Sequence, residues 1–189
     1  MSFSSRIIIF KEVVKVKKVL VLLLLIIVMG LSSCSNEPSI TIWEAVSTGN
    51  ISEVEKHIAN GTDLNQQSLN ESTPLIDAVF FNQYEVAKLL LEEGVDTNLQ
   101  NNDGTTAIYL ASYFCNIPMV ELLLDYDVDI TIENNTGDVA YLVASSDWSE
   151  GLEESYQIVG QAINFQFDIE RIKVDRIVVA GMLEEYMNE

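Results

Sequence analysis

The sequence predicts an all-α solenoid of stacked repeats. The main observation is a period of 33 residues, at which four alanines recur: Ala45, Ala78, Ala111 and Ala144. A fixed period of this size is typical of architectures in which each unit packs only against its neighbours. Other positions keep the same spacing. They are Gly61 with Gly94 and Asp127, Gly104 with Gly137, Asp63 with Asp96 and Asp129, and Asn65 with Asn98 and Thr131.

The segment 71–103 shows most clearly how one unit is built. Its first helix is expected to start at Pro74, because proline at the first helical turn loses no hydrogen bond. Its second helix contains the run Leu89-Leu90-Leu91, which supplies an apolar stripe, and Gly94 can end that helix in a left-handed conformation. Asp103-Gly104 suits a tight turn into the next unit. Each unit is therefore expected to hold two helices and a turn.

These residues resemble the ankyrin repeat. Thr73-Pro74-Leu75 and the segment 89–94 match that family's signature, and 33 residues is its period. The resemblance covers roughly residues 40–163 and implies helix-turn-helix units with β-turn fingers that bind a protein partner. We expect about four repeats followed by a C-terminal capping helix. The expected ranges are 40–70, 71–103, 104–136 and 137–167 for the repeats, together 40–167, and 168–189 for the capping helix.

The two ends of the repeat region depart from the pattern. The first repeat lacks the Thr-Pro-Leu start, as suits a cap whose outer face must be polar. The fourth repeat keeps Gly137 and Ala144 but inserts residues after Trp148. Its second helix is expected at about 152–163. Apolar residues between Ile172 and Tyr186 favour one more helix at the end.

The N-terminus predicts export. Four lysines precede an apolar run over 19–29, and Leu31-Ser32-Ser33-Cys34 follows. A basic region, a short apolar region and small residues are typical of a signal peptide, and the run is shorter than the ~20 residues of a membrane span. The last four residues resemble a bacterial lipobox, which implies cleavage before Cys34 and lipid on its thiol. We expect a signal peptide over 1–33, a tether over 34–39 and a membrane-anchored, extracytoplasmic lipoprotein; an uncleaved anchor helix is the alternative.

The charge distribution argues against nucleic acid as a partner. Residues 1–33 hold five of the ten Lys and Arg but only one of the 29 Asp and Glu. The rest of the chain carries five basic and 28 acidic side chains, a net charge of −23. A field of that sign repels phosphates and favours a basic protein partner. The alternative is that the charge only keeps the protein soluble.

The resemblance also indicates which residues would bind that partner. In ankyrin stacks the second and third residues after the periodic alanine of each first helix usually point into the concave groove. The β-turn fingers line the edge of that groove. Large aromatic side chains there would anchor an interface. The alternative is that Phe80 or Phe114 turns inward, and that the Asn-rich fingers are only turns. The candidate residues are Phe80, Phe81, Tyr113, Phe114, Asp147 and Trp148 in the groove, and Asn101, Asn102, Asp103, Asn134 and Asn135 in the fingers.

No residue pattern supports catalysis, a metal or a cofactor. His57 is the only histidine and has no plausible nucleophile nearby. Cys115 shares the helix-bend position of Gly49 and Asn82, where a small residue is a structural choice. The acidic run 125–129 lacks the Gly and Glu of a calcium loop. We therefore expect a monomeric, non-enzymatic binding protein; one specific form would inhibit an envelope enzyme or toxin, or protect against one. The alternative is a passive scaffold lipoprotein with no single partner.

Overall fold

The computed structural model describes residues 37–163 and 165–188, apart from the side chain of Ile163. Cys34, the predicted signal peptide over 1–33 and residues 35–36 of the predicted tether lie outside these residues. The described part of the chain is all-helical, with nine helices and no strand. The helices are α1 (Ile42–Ser47), α2 (Ile51–Ala59), α3 (Pro74–Phe80), α4 (Tyr84–Glu92), α5 (Ala107–Tyr113), α6 (Ile117–Leu124), α7 (Ala140–Ser145), α8 (Glu150–Ile163) and α9 (Ile169–Met187).

The helices stack in the manner of a solenoid, which confirms the predicted fold class. Helices α1 and α2, α3 and α4, and α5 and α6 form helix-turn-helix pairs. The first helices α1, α3, α5 and α7 pack side by side. The four periodic alanines are all buried in these first helices, where a methyl group lets neighbouring helices approach closely. The 33-residue period therefore reflects the packing of one unit on the next.

Threonine and proline set the start of the central first helices. The Thr73 hydroxyl accepts a hydrogen bond from the Ile76 N–H at 3.2 Å, and Pro74 occupies the first turn. One period later, the Thr106 hydroxyl accepts from the Tyr109 N–H at 3.3 Å. Such caps satisfy N–H groups that have no partner inside the helix. Val139 takes this position before α7 and makes no side-chain cap.

The bend between the two helices of each unit uses a left-handed residue. Gly49, Asn82 and Cys115 stand at the same point of successive units, with φ of 69°, 53° and 52°. Glycine adopts this conformation freely and asparagine tolerates it. Cys115 also has this left-handed conformation, and its buried side chain packs in the core.

The periodic Asp and Asn residues form a hydrogen-bond ladder between repeats. The Asn65 side-chain oxygen accepts from the Asp96 N–H at 2.9 Å, and the Asn98 side-chain oxygen accepts from the Asp129 N–H at 2.8 Å. The Asp129 carboxylate accepts from the N–H and the hydroxyl of Thr131, which lowers its pKa. These residues therefore connect one unit to the next, and Asp129 serves the repeat itself.

The fourth unit departs from the expected order of helices. The helix that packs along α7 and α6 is α9, not the segment 152–163 that the sequence suggested as the second helix of this unit. Within α9, Val179 and Leu183 are fully buried. Helix α8 instead buries one large side chain, Tyr156. Helix α9 therefore occupies the side of α7 expected for the second helix, and α8 is an insertion between α7 and α9.

Candidate functional site

The helix bends bring the predicted aromatic residues into one continuous row. The ring centroids of Phe81 and Phe80 are 5.1 Å apart, those of Phe80 and Phe114 are 6.0 Å apart, and those of Phe114 and Tyr113 are 5.3 Å apart. These separations and the tilted ring planes are those of favourable aromatic pairs. We call Phe81, Phe80, Phe114 and Tyr113 the aromatic row. The 33-residue period places its two halves side by side, as the sequence suggested.

Part of the aromatic row is covered by the insertion. Tyr156 of α8 stacks on Tyr113 with centroids 4.9 Å apart, and its hydroxyl donates to the Tyr113 carbonyl. The Tyr113 hydroxyl lies 2.6 Å from the Ser155 hydroxyl. Burial raises the pKa of both tyrosines. Phe167, which follows α8, stacks on Phe114 at 5.6 Å. The chain itself therefore occupies one end of the predicted binding surface.

The segment 165–168 approaches α8 closely at a glycine. A Cβ added at Gly160 would lie 2.4 Å from the Phe165 carbonyl oxygen and 3.3 Å from the Phe167 ring. The Phe165 N–H donates to the Gly160 carbonyl at 2.8 Å. Glycine here lets the chain turn back so that Phe167 reaches the aromatic row. Sequence reasoning missed Tyr156 and Phe167, although aromatic residues within a non-repetitive insertion were a signal that this segment packs.

Trp148 is half-buried, whereas Asp147 is exposed. The Trp148 ring stacks on Tyr156 at 5.9 Å. Lys173 and Arg176 of α9 lie over the same ring, 5.1 and 5.9 Å from its centre, which is within the range of cation–π attraction. Trp148 therefore joins the insertion to α9, and only part of its surface is open to a partner.

An open groove of about 540 Å³ remains beside the uncovered end of the aromatic row. At its mouth, Phe81 is 39% exposed and Phe165 is 55% exposed. Polar and charged side chains also line it, and among them the Asn116 amide donates to the Asn82 side-chain oxygen at 2.7 Å. The further lining residues include Phe80, Phe114, Phe167, Asp168, Arg171 and Asp175. The arrangement can receive an apolar or aromatic side chain next to acidic groups.

The finger residues mainly build their own turns. The Asn101 side-chain oxygen accepts from the N–H groups of Asp103 and Thr105. Asn134 does the same for Thr136 and Asp138. Asn135 bridges two fingers by donating to the Asn102 carbonyl at 2.8 Å. Of the five predicted finger residues, Asn102, Asp103 and Asn135 are exposed, and Asn101 and Asn134 are half-buried.

His57 and Cys115, the two residues weighed for reactivity, lie in structural positions. The two ring nitrogens of His57 lie 3.0 Å from the Thr62 hydroxyl and 2.9 Å from the Ile40 carbonyl oxygen. Burial raises the pKa of the Cys115 thiol to about 11, which keeps it protonated at neutral pH. Across residues 37–163 and 165–188, no three His, Cys, Asp or Glu side chains are grouped to hold a metal. The same residues include no helix with the length and apolar character of a membrane span.

Comparison with known proteins identifies the regular part of the chain. The family model for ankyrin repeats matches residues 42–134 in three copies. That range covers α1 to α6 and stops before the fourth unit. A search of curated proteins finds no match to the chain. Residues 42–134 are therefore similar to ankyrin repeats, a family of protein–protein interaction modules that are typically not enzymes.

Proposed function

We propose that this protein binds one protein partner at the open groove beside Phe81 and Phe165. The observation that carries the proposal is that the aromatic row is filled by Tyr156 and Phe167 at one end and left open at the other. Two exposed aromatic side chains flank the opening. Rigid aromatic groups at the centre of a contact are frequent anchors of protein interfaces.

The partner is a basic protein. The chain beyond residue 33 carries five basic and 28 acidic side chains, so its field attracts positive charge over most of the surface. Asp168 and Asp175 line the groove itself, although Arg171 lies 3.1 Å from Asp175 and offsets part of that charge. Such a field speeds association with a basic partner and makes the rate fall steeply as salt is raised.

The protein acts at a membrane surface outside the cytoplasm, held by lipid on Cys34. The signal-like sequence 1–33 and the Leu-Ser-Ser-Cys motif support this location. The repeat region begins soon after that cysteine, because Ser39 already contacts the first repeat: its N–H donates to the Glu53 carboxylate at 2.7 Å. The stack would therefore lie close to the membrane. Inhibition of a basic envelope enzyme or toxin, or protection against one, is the specific activity that fits this position and charge.

The test is a pull-down of tagged full-length protein from crosslinked membranes, read by mass spectrometry. Phe81→Ala should remove a stoichiometric partner, because it deletes an exposed anchor at the groove. The matched control is Leu69→Ala, which deletes an exposed apolar side chain in a finger. Retention of the partner by Phe81→Ala and its loss from Leu69→Ala would move the binding site to the fingers.

Two further arms test the charge and the location. The association rate of an isolated partner should fall as salt rises, and a flat response would exclude electrostatic steering. Cys34→Ala should release the protein from the membrane fraction. Membrane attachment that survives Cys34→Ala would favour an uncleaved anchor helix. The absence of any enriched partner would leave the passive scaffold as the better description.

A further inference from the structure

Arg176, on α9, is a buried cation whose hydrogen-bonding groups are only partly used. The residue is 4% exposed. Its Nη2 group donates to the Ser146 carbonyl at 2.7 Å and to the Ser146 hydroxyl at 2.9 Å. Its Nη1 group is buried and has no hydrogen-bond partner within residues 37–163 and 165–188. Buried polar groups without a partner are rare in folded proteins, so this group calls for an explanation.

The charge of Arg176 is not neutralised either. Both acceptors on Ser146 are neutral, and none of the ion pairs of the described residues includes Arg176. The chain beyond residue 33 carries 28 acidic side chains, so carboxylates are plentiful but none is placed here. A buried cation is costly unless an anion pairs with it. A water molecule could accept from Nη1 but would leave the charge in place, so the guanidinium is suited to an anion from outside the chain.

An open cavity of about 550 Å³ lies beside this guanidinium, between the end of α7 and α9. Ser146 and Trp148, which contact the guanidinium, both line this cavity, and Ser146 is exposed. Lys173 lines it too, with its ammonium 5.1 Å from the centre of the Trp148 ring. A ligand that reaches Ser146 therefore meets the guanidinium and a second cation.

The other lining residues indicate which kind of anion fits. Ala144, Ala180 and Gly181 are small and leave apolar space in the cavity. Asp147 and Glu184 also line it, and their charges repel a dianion such as sulfate more strongly than a monoanion. The planar fork of a guanidinium matches the two oxygens of a carboxylate. The cavity therefore suits a monocarboxylate that carries a small apolar group.

We propose that this cavity binds a carboxylate with a small branched apolar group next to it. The carboxylate accepts hydrogen bonds from the Arg176 guanidinium and from the Ser146 hydroxyl, which can turn to donate. Lys173 adds attraction, although its ion pair with Glu170 at 2.7 Å offsets part of it. A free carboxylic acid and the C-terminal residue of a peptide both present this chemistry. The site is separate from the groove proposed to bind the partner protein and does not depend on that function.

Ligand binding to the full-length chain in detergent tests the site. Calorimetry measures the affinity, and the fluorescence of Trp148 in a Trp43→Phe background reports binding in the cavity, since these are the two tryptophans of the chain. N-acetyl-valine should give a saturable response in both measurements. N-acetyl-valinamide is the matched control, because it has the same apolar group without the charge, and it should give none. No binding, binding without a change at Trp148, or equal binding of the amide would overturn the proposal.

Three substitutions test the residues that carry the proposal. Arg176→Met should weaken the binding of N-acetyl-valine by about tenfold or more. Lys88→Met is the matched control, because it removes a basic side chain of α4 far from the cavity lining and should leave the affinity unchanged. Gly181→Leu keeps every charge but fills the cavity, and the open space around an added Cβ allows the chain to fold. Unchanged affinity in Arg176→Met or in Gly181→Leu would exclude this site.

A second set of ligands identifies the source of the carboxylate. Isovalerate has the carboxylate and the branched group of N-acetyl-valine but lacks its amide. Equal affinity for the two assigns the site to free carboxylic acids, whereas binding of N-acetyl-valine alone assigns it to peptide C-termini. Sulfate should bind about tenfold more weakly than the carboxylate ligand, because Asp147 and Glu184 repel its second charge. Sulfate that binds as tightly would overturn the preference for a carboxylate.

Discussion

The first three repeats and the fourth unit solve the same packing problem with different interactions. In residues 42–134, each unit repeats the same alanine, the same helix bend and the same Asn-to-backbone hydrogen bond to its neighbour. Beyond Gly137, the first helix α7 has no threonine cap. The 14-residue helix α8 then separates α7 from α9, the helix that packs against it. In this unit, contacts to the neighbouring helices are made by stacked aromatic rings and by two cationic side chains over the Trp148 ring, instead of by the Asn-to-backbone hydrogen bonds. A repeat stack can thus lose its period and still bury its end, provided that large side chains fill the space.

The largest difference in stability between the two regions is expected when the central aromatic side chain of the fourth unit is removed. Tyr156→Ala deletes a fully buried ring that contacts Tyr113, Trp148 and Phe167. We expect a loss of about 3–5 kcal/mol in the free energy of unfolding of this unit. Hydrogen exchange should show lost protection in α8 and α9, with α1 to α4 protected as before.

Leu90→Ala is the counterpart in the regular repeats. Leu90 is fully buried in α4, and its truncation should cost about 2–5 kcal/mol with protection lost across the neighbouring units. The conservative change Tyr156→Phe should cost only about 1 kcal/mol, the usual net value of one hydrogen bond. If Tyr156→Ala and Leu90→Ala changed exchange in the same helices, the two regions would form a single cooperative unit.

A pair of glycine substitutions sharpens the same contrast. Gly160→Ala places a methyl group against the Phe165 backbone, so we expect destabilisation of about 1–3 kcal/mol from overpacking. Gly181→Ala meets no atom within 4 Å and should raise the stability of the monomer by about 0.5–1 kcal/mol through helix propensity. Denaturant unfolding of a dilute sample, monitored by circular dichroism, measures both. Stabilisation by Gly160→Ala would show that the segment 165–168 is not held against α8.

A smaller effect is expected from the ladder of the regular repeats. Asn98→Ala removes the acceptor of the Asp129 N–H and should cost about 1 kcal/mol. Asn102→Ala is the control, because that side chain is exposed at a finger tip and makes no equivalent bond to the next repeat. The difference between the urea unfolding midpoints of the Asn98→Ala and Asn102→Ala variants measures how much the Asn98 hydrogen bond stabilises the fold. Equal midpoints would mean that water replaces the ladder at little cost.

The smallest predicted effect concerns pH at the start of the first repeat. The Lys56 ammonium, 2.6 Å away, and the Ser39 N–H lower the pKa of Glu53 from 4.5 to about 2. Because the folded-state pKa is the lower one, this carboxylate stabilises the fold above about pH 4.5, and the contribution is lost as the pH falls toward 2. Glu53→Gln should flatten the dependence of stability on pH over that window. An unchanged slope would show that other carboxylates control it.

The sequence correctly predicted the roles of residues that act within their own repeat or at its contact with the next one. Pro74 and the periodic alanines specify helix starts and close contacts that every unit needs, and the residue types report this directly. Prediction was incomplete where the role depends on a distant segment. Tyr113 and Phe114 were assigned to a partner surface, and both are half-buried against Tyr156 and Phe167, some 40 to 50 residues further along the chain.

The sequence by itself determined the all-helical repeat architecture, the spacing of its units and its acidic charge. These follow from short-range preferences: caps, turn residues and apolar spacing act within one unit, and the period copies them. Only the tertiary structure decided that α9 rather than α8 completes the fourth unit and that the insertion covers half of the aromatic row. The physical reason is competition for burial. Val179 and Leu183 compete with α8 for the same side of α7, and only their relative fit in three dimensions decides which helix occupies it.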